Sequence, residues 1–420
     1  MVLKTLPFDR EFIEKLTEQY PTPFYIYDEK TLRRHARLFT ESFAWNNGFK
    51  EFFAVKANPN PELLKILRTE FLGGDCSSLP ELLICERVGM NGDEIMFTSN
   101  NTPAIEFVKA KQLNAIINLD DLTHLEFLEH HAGLPDLISF RWNPGALREV
   151  ESVIGNPVEA KYGLTTKQIF EGFALAKRKG VKHFGLHTMV ASNMLQEDFF
   201  SYTAKTVFEL ALEMEHRIGV RVEFVNLGGG FGVAYRTEQT PLNMKKVAAM
   251  IQEEYDKLIT PSNLASMKIF TESGRLVAAE SGTLITRVIH EKNTYKRYIG
   301  VDACMANLMR PGMYGAYHHI TVLGKSENLG VDVDSAAVER VDVVGSLCEN
   351  CDKFAVDRVL PKIEIGDILA IHDAGAHGYA MGFQYNGKLR CAELLLQENG
   401  TVRIIRRAET PDDYFATLNL

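Results

Sequence analysis

The chain repeats one pattern between residues 36 and 282: a short apolar run, a polar or glycine-rich turn, and then an amphipathic helix. Short apolar runs bounded by turn residues indicate buried strands, and apolar positions three or four apart indicate helices. Eight starts follow one another, in KEFFAVKAN, LGGDCSS, EIMFTSNN, AIINLDD, LISFRWNPG, FGLHTMVAS, VEFVNLGGG and KIFTESGR. The pattern therefore predicts an α/β fold with a TIM-like (β/α)8 barrel over residues 36–282.

The pattern changes after residue 283 to strand, turn and strand, with few segments long enough for a helix. The strand-like runs are TLITRVIHEK, YKRYIGVDA, AVERVDVVGSLC, DILAIHD, LRCAELLL and TVRIIRR, and TPFYIYD at residues 22–28 is a further strand before the barrel. They predict a mostly antiparallel β-sandwich or barrel domain. We expect this domain to be discontinuous, built from residues 1–35 and 283–420.

Composition and charge narrow the class of partner. The 420 residues are 45% hydrophobic and 24% charged, which is ordinary for a globular protein. A net charge of −9 argues against nucleic acid or an anionic membrane as a partner. No apolar run approaches the roughly 18–20 residues that span a bilayer, and the N-terminus lacks the apolar core of a signal peptide. With six scattered cysteines, we expect a cytoplasmic protein with a small-molecule ligand.

Polar residues or glycines follow most of the strand-like runs of the predicted barrel. These positions meet at the carboxyl end of a barrel, where active sites lie. Each alone is explained as a turn residue, but their number favours a site. They are Lys56, Asp75, Asn100, Asn143, His187, Gly228–Gly230 and Glu272.

Lys56 ends the nearly all-apolar run FFAVK. Lysine is rarely buried without a partner. In a barrel mouth that excludes water, a lysine loses its charge more readily, and the neutral amine can attack an aldehyde to form a Schiff base. The alternative is a surface lysine whose stem lies along apolar surface.

Two turns have the composition of a phosphate site. NLGGGFG exposes backbone N–H groups and allows close approach, although it is neither a dinucleotide fingerprint nor a P-loop. TESGRL brings Glu272, Gly274 and Arg275 to the end of the eighth strand. The arginine suits a phosphate, and the carboxylate suits a protonated pyridine nitrogen. A tight turn and a surface ion pair are the alternatives.

The β half carries three further segments with candidate chemistry. Cys348 and Cys351 in GSLCENCDKF form a C-x-x-C pair, which serves zinc binding and thiol exchange equally well. No second C-x-x-C or C-x-x-H supplies the remaining ligands, so we expect no metal. Arg310 and Tyr314 suit recognition of a carboxylate. HDAGAHGYAMGFQYNGKLR, rich in glycine and aromatic residues, suggests a loop packed against a ligand or a partner subunit.

In this order, the segments resemble the fold-type III family of pyridoxal-phosphate-dependent amino-acid decarboxylases. The resemblance runs over nearly the whole chain and is carried by VKANPNPELL, LGGGFG, ESGR, VDACMANLMRPGMYGAYH, LCENCD and GAHGYAMGFQYNG. It implies an alanine-racemase-like barrel with a β domain, pyridoxal 5′-phosphate as cofactor, and a homodimer whose active sites are shared between subunits.

The resemblance also implies residue roles around the cofactor. Lys56 would form the Schiff base, and Glu272 would pair with the pyridinium nitrogen. Ser78 belongs to the same pocket motif as Asp75. The expected cofactor contacts are Lys56, Asp75, His187, Ser192, Gly228, Gly229, Gly230, Glu272, Gly274, Arg275 and His377.

On the substrate side, the resemblance implies that Cys348 enters the neighbouring subunit's site and that Cys351 has no catalytic task. A thiol is a competent acid near neutral pH, so Cys348 is our candidate for the proton donor to Cα. The expected substrate contacts are Arg275, Arg310, Tyr314, Glu349 and Tyr385.

The candidate amino-acid substrates differ in the charged groups at their distal end. Glu349 fits a distal ammonium, and Arg310 with Tyr314 fits a distal carboxylate. A buried arginine without an anion would be costly in an ornithine or lysine decarboxylase. This favours decarboxylation of meso-2,6-diaminopimelate to L-lysine. The alternatives are a decarboxylase for ornithine, lysine, arginine or carboxynorspermidine, a racemase-like isomerase, and a non-catalytic regulatory homologue.

The sequence departs from the family pattern at three positions. Met189 stands where a histidine usually stacks on the cofactor ring, so the ring would be covered by the thioether or by another residue such as His187. His377 replaces a tyrosine, and Ser273 replaces a proline. These changes indicate a divergent branch.

Overall fold

The computed structural model describes residues 4–145, 157–325 and 338–419. The chain divides into two compact units. The barrel unit comprises Arg33–Val233 and Pro241–Val277. The sheet unit comprises Met1–Leu32, Ala234–Thr240 and Ala278–Leu420. The short segment Ala234–Thr240 lies between the two barrel segments in sequence but belongs to the sheet unit.

The chain begins with α1 (Arg10–Gln19), β1 (Phe24–Asp28) and α2 (Glu29–Ser42). Eight strands then form a closed parallel barrel: β2 (Lys50–Ala54), β3 (Gly73–Cys76), β4 (Ile95–Thr98), β5 (Ile116–Leu119), β6 (Leu137–Trp142), β7 (His183–Thr188), β8 (Val222–Asn226) and β9 (Lys268–Thr271). The helices after them are α3 (Pro61–Thr69), α4 (Leu79–Arg87), α5 (Ala104–Gln112), α6 (Thr123–Ala132), α7 (Thr166–Arg178), α8 (Glu197–Ile218), α9 (Met244–Leu258) and α10 (Arg275–Ala278).

Local sequence sets several of these boundaries. Helix α3 has Pro61 in its first turn, and the Asn60 side chain accepts a hydrogen bond from Glu62 N at 3.0 Å. Helix α7 begins with a capping box between Thr165 and Gln168. Helix α8 ends at Gly219, whose φ of 60° lies in the left-handed region. All eight predicted βα starts are confirmed as barrel strands.

The lower part of the barrel interior is a layer of apolar side chains. Because strand side chains alternate between two faces, one inward residue comes from most strands. The layer is built from Phe52, Met96, Ile116, Leu137, Phe224 and Phe270. Aromatic rings dominate it: the Phe224 and Phe270 rings stack with centroids 4.4 Å apart, and the Phe52 and Phe270 rings meet edge to face at 5.3 Å.

The sheet unit continues with β10 (Gly282–Asn293), β11 (Arg297–Val301), α11 (Arg310–Tyr314), β12 (Ile320–Val322), β13 (Val338–Val344), β14 (Lys353–Pro361), β15 (Ile368–Ile371), β16 (Ala392–Leu396), β17 (Val402–Arg406) and α12 (Pro411–Phe415). Single-turn 3-10 helices lie at Val55–Ala57, Gly92–Glu94, Pro157–Glu159, Ala279–Ser281 and Tyr379–Met381.

The strands of the sheet unit form one nine-stranded sheet within the described residues. The main order is β14-β13-β11-β10-β1-β16-β17, and β15 pairs with β10 and β12. The pairs β1–β16 and β11–β13 are parallel, and the others are antiparallel. The predicted fold class, a barrel with a mostly antiparallel β domain, is confirmed. Strands β12 and β14, the second of which follows the C-x-x-C segment directly, were not foreseen.

No helix in the described part of the chain is long and apolar enough to cross a membrane.

Gly185 on β7 is required by the apolar layer, because a Cβ there would overlap the Phe224 ring. We expect Gly185→Ala to lower the free energy of unfolding by about 1–3 kcal/mol through overpacking. Urea unfolding followed by circular dichroism measures this. The double variant Gly185→Ala/Phe224→Leu makes room and should recover part of the loss. If the double variant loses more unfolding free energy than the two single variants lose together, the overlap between Gly185 and Phe224 is not the cause.

Candidate active site

A layer of polar side chains lies above the apolar layer at the carboxyl end of the barrel. It arises from the strand alternation, since the residue two positions after an inward apolar residue points inward again. Met96 is thus followed by Thr98, Ile116 by Asn118. The buried members are Asp75, Thr98, Asn118, Ser139, His187, Asn226 and Glu272. The predicted convergence of polar residues at this edge therefore exists in the barrel unit.

Both carboxylate oxygens of Glu272 have hydrogen-bond partners within this layer. Its Oε2 lies 2.9 Å from His187 Nε2, and its Oε1 accepts a hydrogen bond from Asn226 Nδ2 at 2.7 Å. Burial alone would raise the pKa of Glu272, but His187, Lys56 and Asn226 together hold that pKa below its usual value. A fixed, negatively charged carboxylate therefore lies inside the barrel.

Asn226 connects this carboxylate to the glycine-rich turn. Its Oδ1 accepts a hydrogen bond from Gly228 N at 2.9 Å, and Glu272 N donates to Gly228 O at 2.8 Å. Gly229 N donates to the sulfur of Met189 at 3.1 Å. The turn and the carboxylate are thus held in one hydrogen-bonded arrangement.

Only glycine fits the positions of this turn. Gly228 and Gly230 have φ values of 68° and 90°, in the left-handed region. A Cβ on Gly228 or Gly229 would overlap the carbonyl oxygen of Thr188 or Glu272, respectively. The three glycines, 228–230, therefore lie directly against the loops that follow β7 and β9.

Lys56 lies on the single 3-10 turn that follows β2, with Val55 and Ala57 buried on either side and its own side chain exposed. The turn after β9 packs against it, because a Cβ on Gly274 would lie 2.6 Å from Ala57 Cβ. Arg275, the first residue of α10, follows immediately. The predicted amine and the predicted phosphate-binding turn are neighbours.

Two further carboxyl groups, those of Asp75 and Glu81, lie close enough to Lys56 for its positive charge to lower their pKa. Burial raises the pKa of Asp75 well above its usual value; the nearby Glu272 raises it further, and Lys56 opposes both. Burial also raises the pKa of Glu81, whose Oε2 accepts a hydrogen bond from Ser77 N at 2.6 Å. These three acids and the lysine make the barrel mouth a site of mixed charge.

The barrel mouth fits the pyridoxal phosphate that the resemblance implies. An ionised carboxylate is available for a protonated ring nitrogen, a glycine turn allows close approach of a phosphate, and an amine lies at the edge. In addition, His187 Nδ1 is buried and has no hydrogen-bond partner among the described residues. A buried polar atom of this kind is satisfied when a ligand supplies the partner. Ser78 and Ser192, both partly buried, lie near these elements in sequence.

Arg141 is a charged residue of the barrel mouth that was not predicted from the sequence. Its Nε donates to Asp120 Oδ1 at 2.6 Å, and its Nη2 donates to Asn100 Oδ1 at 2.5 Å. Asn143, the other asparagine expected here, closes the next loop through Tyr162 O at 3.1 Å. The available signal was a charged residue inside the largely apolar strand LISFRW.

In the sheet unit, Arg310 is buried at the start of α11. Its Nε lies 3.4 Å from His318 Nε2, and its guanidinium lies 5.4 Å from the centre of the Tyr235 ring. Tyr314, at the other end of the helix, is exposed. Arg310 is thus fixed by aromatic neighbours, while Tyr314 is available on the surface of this chain.

The two cysteines of the C-x-x-C segment, Cys348 and Cys351, contact different residues. Both are free and exposed. Cys348 N donates to Asn386 Oδ1 at 2.8 Å, and Asn386 Nδ2 lies 3.3 Å from the Cys348 sulfur. The Cys351 sulfur instead lies 3.9 Å from the sulfur of Met305. The two thiols therefore have different surroundings.

A buried aspartate shapes this segment. Asp352 accepts hydrogen bonds from Met305 N at 2.7 Å and Leu347 N at 2.8 Å. Asp352 was not foreseen, because its role depends on backbone donors 5 and 47 residues away.

Of the remaining predicted residues of the sheet unit, Glu349 and Tyr385 are exposed, and His377 has a left-handed φ of 57°.

Comparison with known proteins gives a consistent result. Residues 29–279 match the model for the pyridoxal-dependent decarboxylase, pyridoxal binding domain. The chain is 40% identical over 402 residues to protein TabA of Pseudomonas amygdali pv. tabaci, covering 96% of this chain and 92% of TabA. It is 34% identical to a diaminopimelate decarboxylase of Methanothermobacter thermautotrophicus, covering 97% and 94%. The structure of Helicobacter pylori diaminopimelate decarboxylase complexed with L-lysine matches with a TM-score of 0.85 at 30% identity, covering 96% and 98%.

The contact between His187 and Glu272 generates a pH prediction. His187→Leu removes the main opposition to burial, so the pKa of Glu272 should rise. Protonated Glu272 no longer favours a protonated ring nitrogen, so affinity for pyridoxal phosphate should be lost at a higher pH than in the wild type. Equilibrium dialysis from pH 5 to 9 measures this. His183→Leu, an exposed histidine of the same strand, is the control. Identical pH profiles for His187→Leu and wild type would contradict the assignment.

Proposed function

Since the chain belongs to the pyridoxal-dependent decarboxylase family and uses pyridoxal 5′-phosphate, we propose that it converts meso-2,6-diaminopimelate to L-lysine and CO2, the last step of lysine biosynthesis. The buried, ionised Glu272, held by His187 and Asn226 in a barrel mouth that also holds Lys56, supports the cofactor-dependent decarboxylation. The observation that carries the proposed substrate is the buried Arg310 of the sheet unit. Relatives named diaminopimelate decarboxylase support the substrate.

The residues of the barrel unit supply the means of holding the cofactor. Lys56 would provide the amine for its aldehyde. The glycine turn at 228–230 would allow its phosphate to approach closely, and the turn at 274–275 would bring the Arg275 guanidinium to it. Glu272, whose own pKa is held below its usual value, would favour a proton on the ring nitrogen. When bound, pyridoxal phosphate delocalises the electron pair left on Cα as CO2 departs.

The sheet unit supplies the groups that we assign to the distal end of the substrate. Arg310 is buried beside the rings of Tyr235 and His318, and a guanidinium matches the planar, bidentate geometry of a carboxylate. Together with Tyr314 it would bind the distal carboxylate, and Glu349 would bind the distal ammonium. This pair of charges distinguishes diaminopimelate from substrates that end in an ammonium group alone.

Cys348 is proposed as the donor of the proton that Cα receives after CO2 leaves. Its sulfur is exposed, and Asn386 contacts both its amide and its sulfur, which fixes the position of the thiol. We propose that Cys348 and Glu349 act in the active site of the second subunit of a homodimer. An exposed thiol on a fixed loop is compatible with that role.

A second candidate is decarboxylation of another basic amino acid: ornithine, lysine, arginine or carboxynorspermidine. The observation that favours it is the 40% identity to TabA, a protein with a different name from the decarboxylases at 34% identity and below. The barrel site is compatible with both candidates, because the α-carboxylate is the same in all these substrates.

Release of CO2 from individual amino acids distinguishes the two candidates. With pyridoxal phosphate present, we expect release from meso-diaminopimelate and little from L-lysine, L-ornithine or L-arginine. Lys56→Ala should lose both this activity and the visible absorbance of the cofactor bound as a Schiff base. Release from ornithine but not from diaminopimelate would overturn the proposed substrate.

The two cysteines provide a matched pair of variants. Cys348→Ala should lower kcat by about 100-fold or more, the usual contribution of a positioned acid, while Cys351→Ala should stay near wild type. Steady-state kinetics with the preferred substrate measures both. Comparable losses in the two variants would instead favour a function of the pair as a whole.

Mixing inactive variants tests whether the subunits share sites. Dimers that combine Lys56→Ala and Cys348→Ala chains contain one intact site in two. Mixed and re-equilibrated, the two variants should recover up to about a quarter of wild-type activity if the sites are shared. No recovery in confirmed mixed dimers would place Cys348 in the site of its own chain.

A further inference from the structure

Glu51 is a fully buried acid with no role in the site described above. It lies on β2 next to Phe52, whose ring belongs to the inward apolar layer. Because strand side chains alternate, Glu51 lies on the outer face of the barrel wall. A buried carboxyl group is costly, and an apolar residue is usual at such a position. Its hydrogen bonds show where it acts.

Glu51 bonds to both residues that flank Glu272. Its Oε2 lies 2.5 Å from Thr271 Oγ1, and its Oε1 accepts a hydrogen bond from Ser273 N at 2.6 Å. Thr271 and Ser273 are themselves almost completely buried. One carboxyl group on β2 therefore holds the side chain before Glu272 and the backbone N–H after it.

These bonds lie at the shortest ladder of the barrel. Strands β2 and β9 pair through only two residue pairs, Lys50 with Phe270 and Glu51 with Thr271. The other neighbouring barrel strands share three or more pairs. The bond to Ser273 N extends the attachment of the β9 segment beyond the last ladder pair.

The chain segments that follow β2 and β9 carry the proposed cofactor-binding groups. Lys56 follows Glu51 by five residues on the β2 side, and Glu272, Gly274 and Arg275 lie on the β9 side. The close packing of Gly274 on Ala57 requires a fixed spacing between the two segments. A change in the Glu51 bonds would therefore change both the direction of Glu272 and the position of the Gly274–Arg275 turn.

Glu51 is suited to this task in its neutral form. Burial raises its pKa well above the usual value, and the charges of Glu272 and Asp75 raise it further. A neutral carboxylic acid accepts the Ser273 N–H with one oxygen and shares a hydroxyl hydrogen bond with Thr271 through the other. Both bonds are therefore compatible with a carboxyl group whose pKa is raised.

We propose that Glu51 is a positioning residue of the active site, which orients Glu272 and the Gly274–Arg275 turn relative to Lys56 by bonding to Thr271 and Ser273. It does not touch the reacting atoms. The inference rests on the proposed roles of Lys56 and Glu272 in holding the cofactor, and it is independent of which amino acid is decarboxylated.

Two substitutions test the proposal. Glu51→Gln keeps the size of the side chain, an acceptor for Ser273 N and a donor for Thr271. Glu51→Leu keeps the volume approximately and removes both bonds. We expect Glu51→Leu to raise the dissociation constant for pyridoxal phosphate by about 10-fold or more, in line with loss of a group that supports a direct ligand. Glu51→Gln should stay within about threefold of wild type.

Amide hydrogen exchange of the cofactor-free chain supplies a second readout that does not depend on activity. The peptide covering residues 271–276 should exchange faster in Glu51→Leu and at the wild-type rate in Glu51→Gln. The absorbance spectrum of the bound cofactor should change only in Glu51→Leu, because the spectrum reports the protonation of the ring.

A control separates positioning from general loss of stability. Leu128→Ala truncates a buried side chain on α6, which follows β5 and not β2 or β9, so it should lower the unfolding temperature and leave the cofactor affinity unchanged. If Glu51→Leu fails to fold, Thr271→Val removes one of the two bonds and should give a smaller loss of affinity in the same direction.

The proposal is overturned if Glu51→Leu, or Thr271→Val in its place, binds pyridoxal phosphate with wild-type affinity and spectrum. It is also overturned if Glu51→Gln is as impaired as Glu51→Leu. If Glu51→Leu loses affinity as expected but the wild-type chain does not act on diaminopimelate, the proposed substrate is wrong and the positioning role of Glu51 stands.

Discussion

A buried negative charge on Glu272 is the constraint from which the arrangement of the barrel mouth follows. An ionised carboxylate inside a barrel is tolerated only when hydrogen bonds and opposite charge replace its lost water. His187 and Asn226 supply the hydrogen bonds, and Lys56 adds a favourable charge. Asn226 in turn fixes Gly228, so the glycine turn takes its position from the same carboxylate.

The barrel provides this polar cluster without giving up a stable core, because its two layers have separate tasks. The aromatic layer around Phe224 and Phe270 fills the lower interior, and Gly185 leaves the space that one of its rings needs. Two residues further along the same strands, the chain changes to polar side chains. Stability and chemistry are thus divided along the barrel axis, which allows the mouth to contain strongly interacting charges.

Much of this architecture could be predicted from the sequence, since it depends on local patterns. Apolar runs followed by turns and amphipathic segments gave all eight barrel strands, and polar residues at strand ends gave the edge where they meet. The pairing of His187 with Glu272, 85 residues apart, could not be predicted in this way. It depends on the register between strands, which no short segment records. The same holds for Arg141 with Asp120 and for Glu51 with Thr271.

Ser273 shows how one change in a turn creates a requirement elsewhere. A proline, usual at this position in the family that the sequence resembles, has no N–H, whereas serine brings a buried donor that must find an acceptor. Strand β9 ends at Thr271, so the ladder with β2 offers none at Ser273. The Glu51 carboxyl group fills that need at 2.6 Å. A turn that a ring would restrict covalently is here restricted by a hydrogen bond from the neighbouring strand, and an apolar residue at position 51 would leave the Ser273 N–H without its partner.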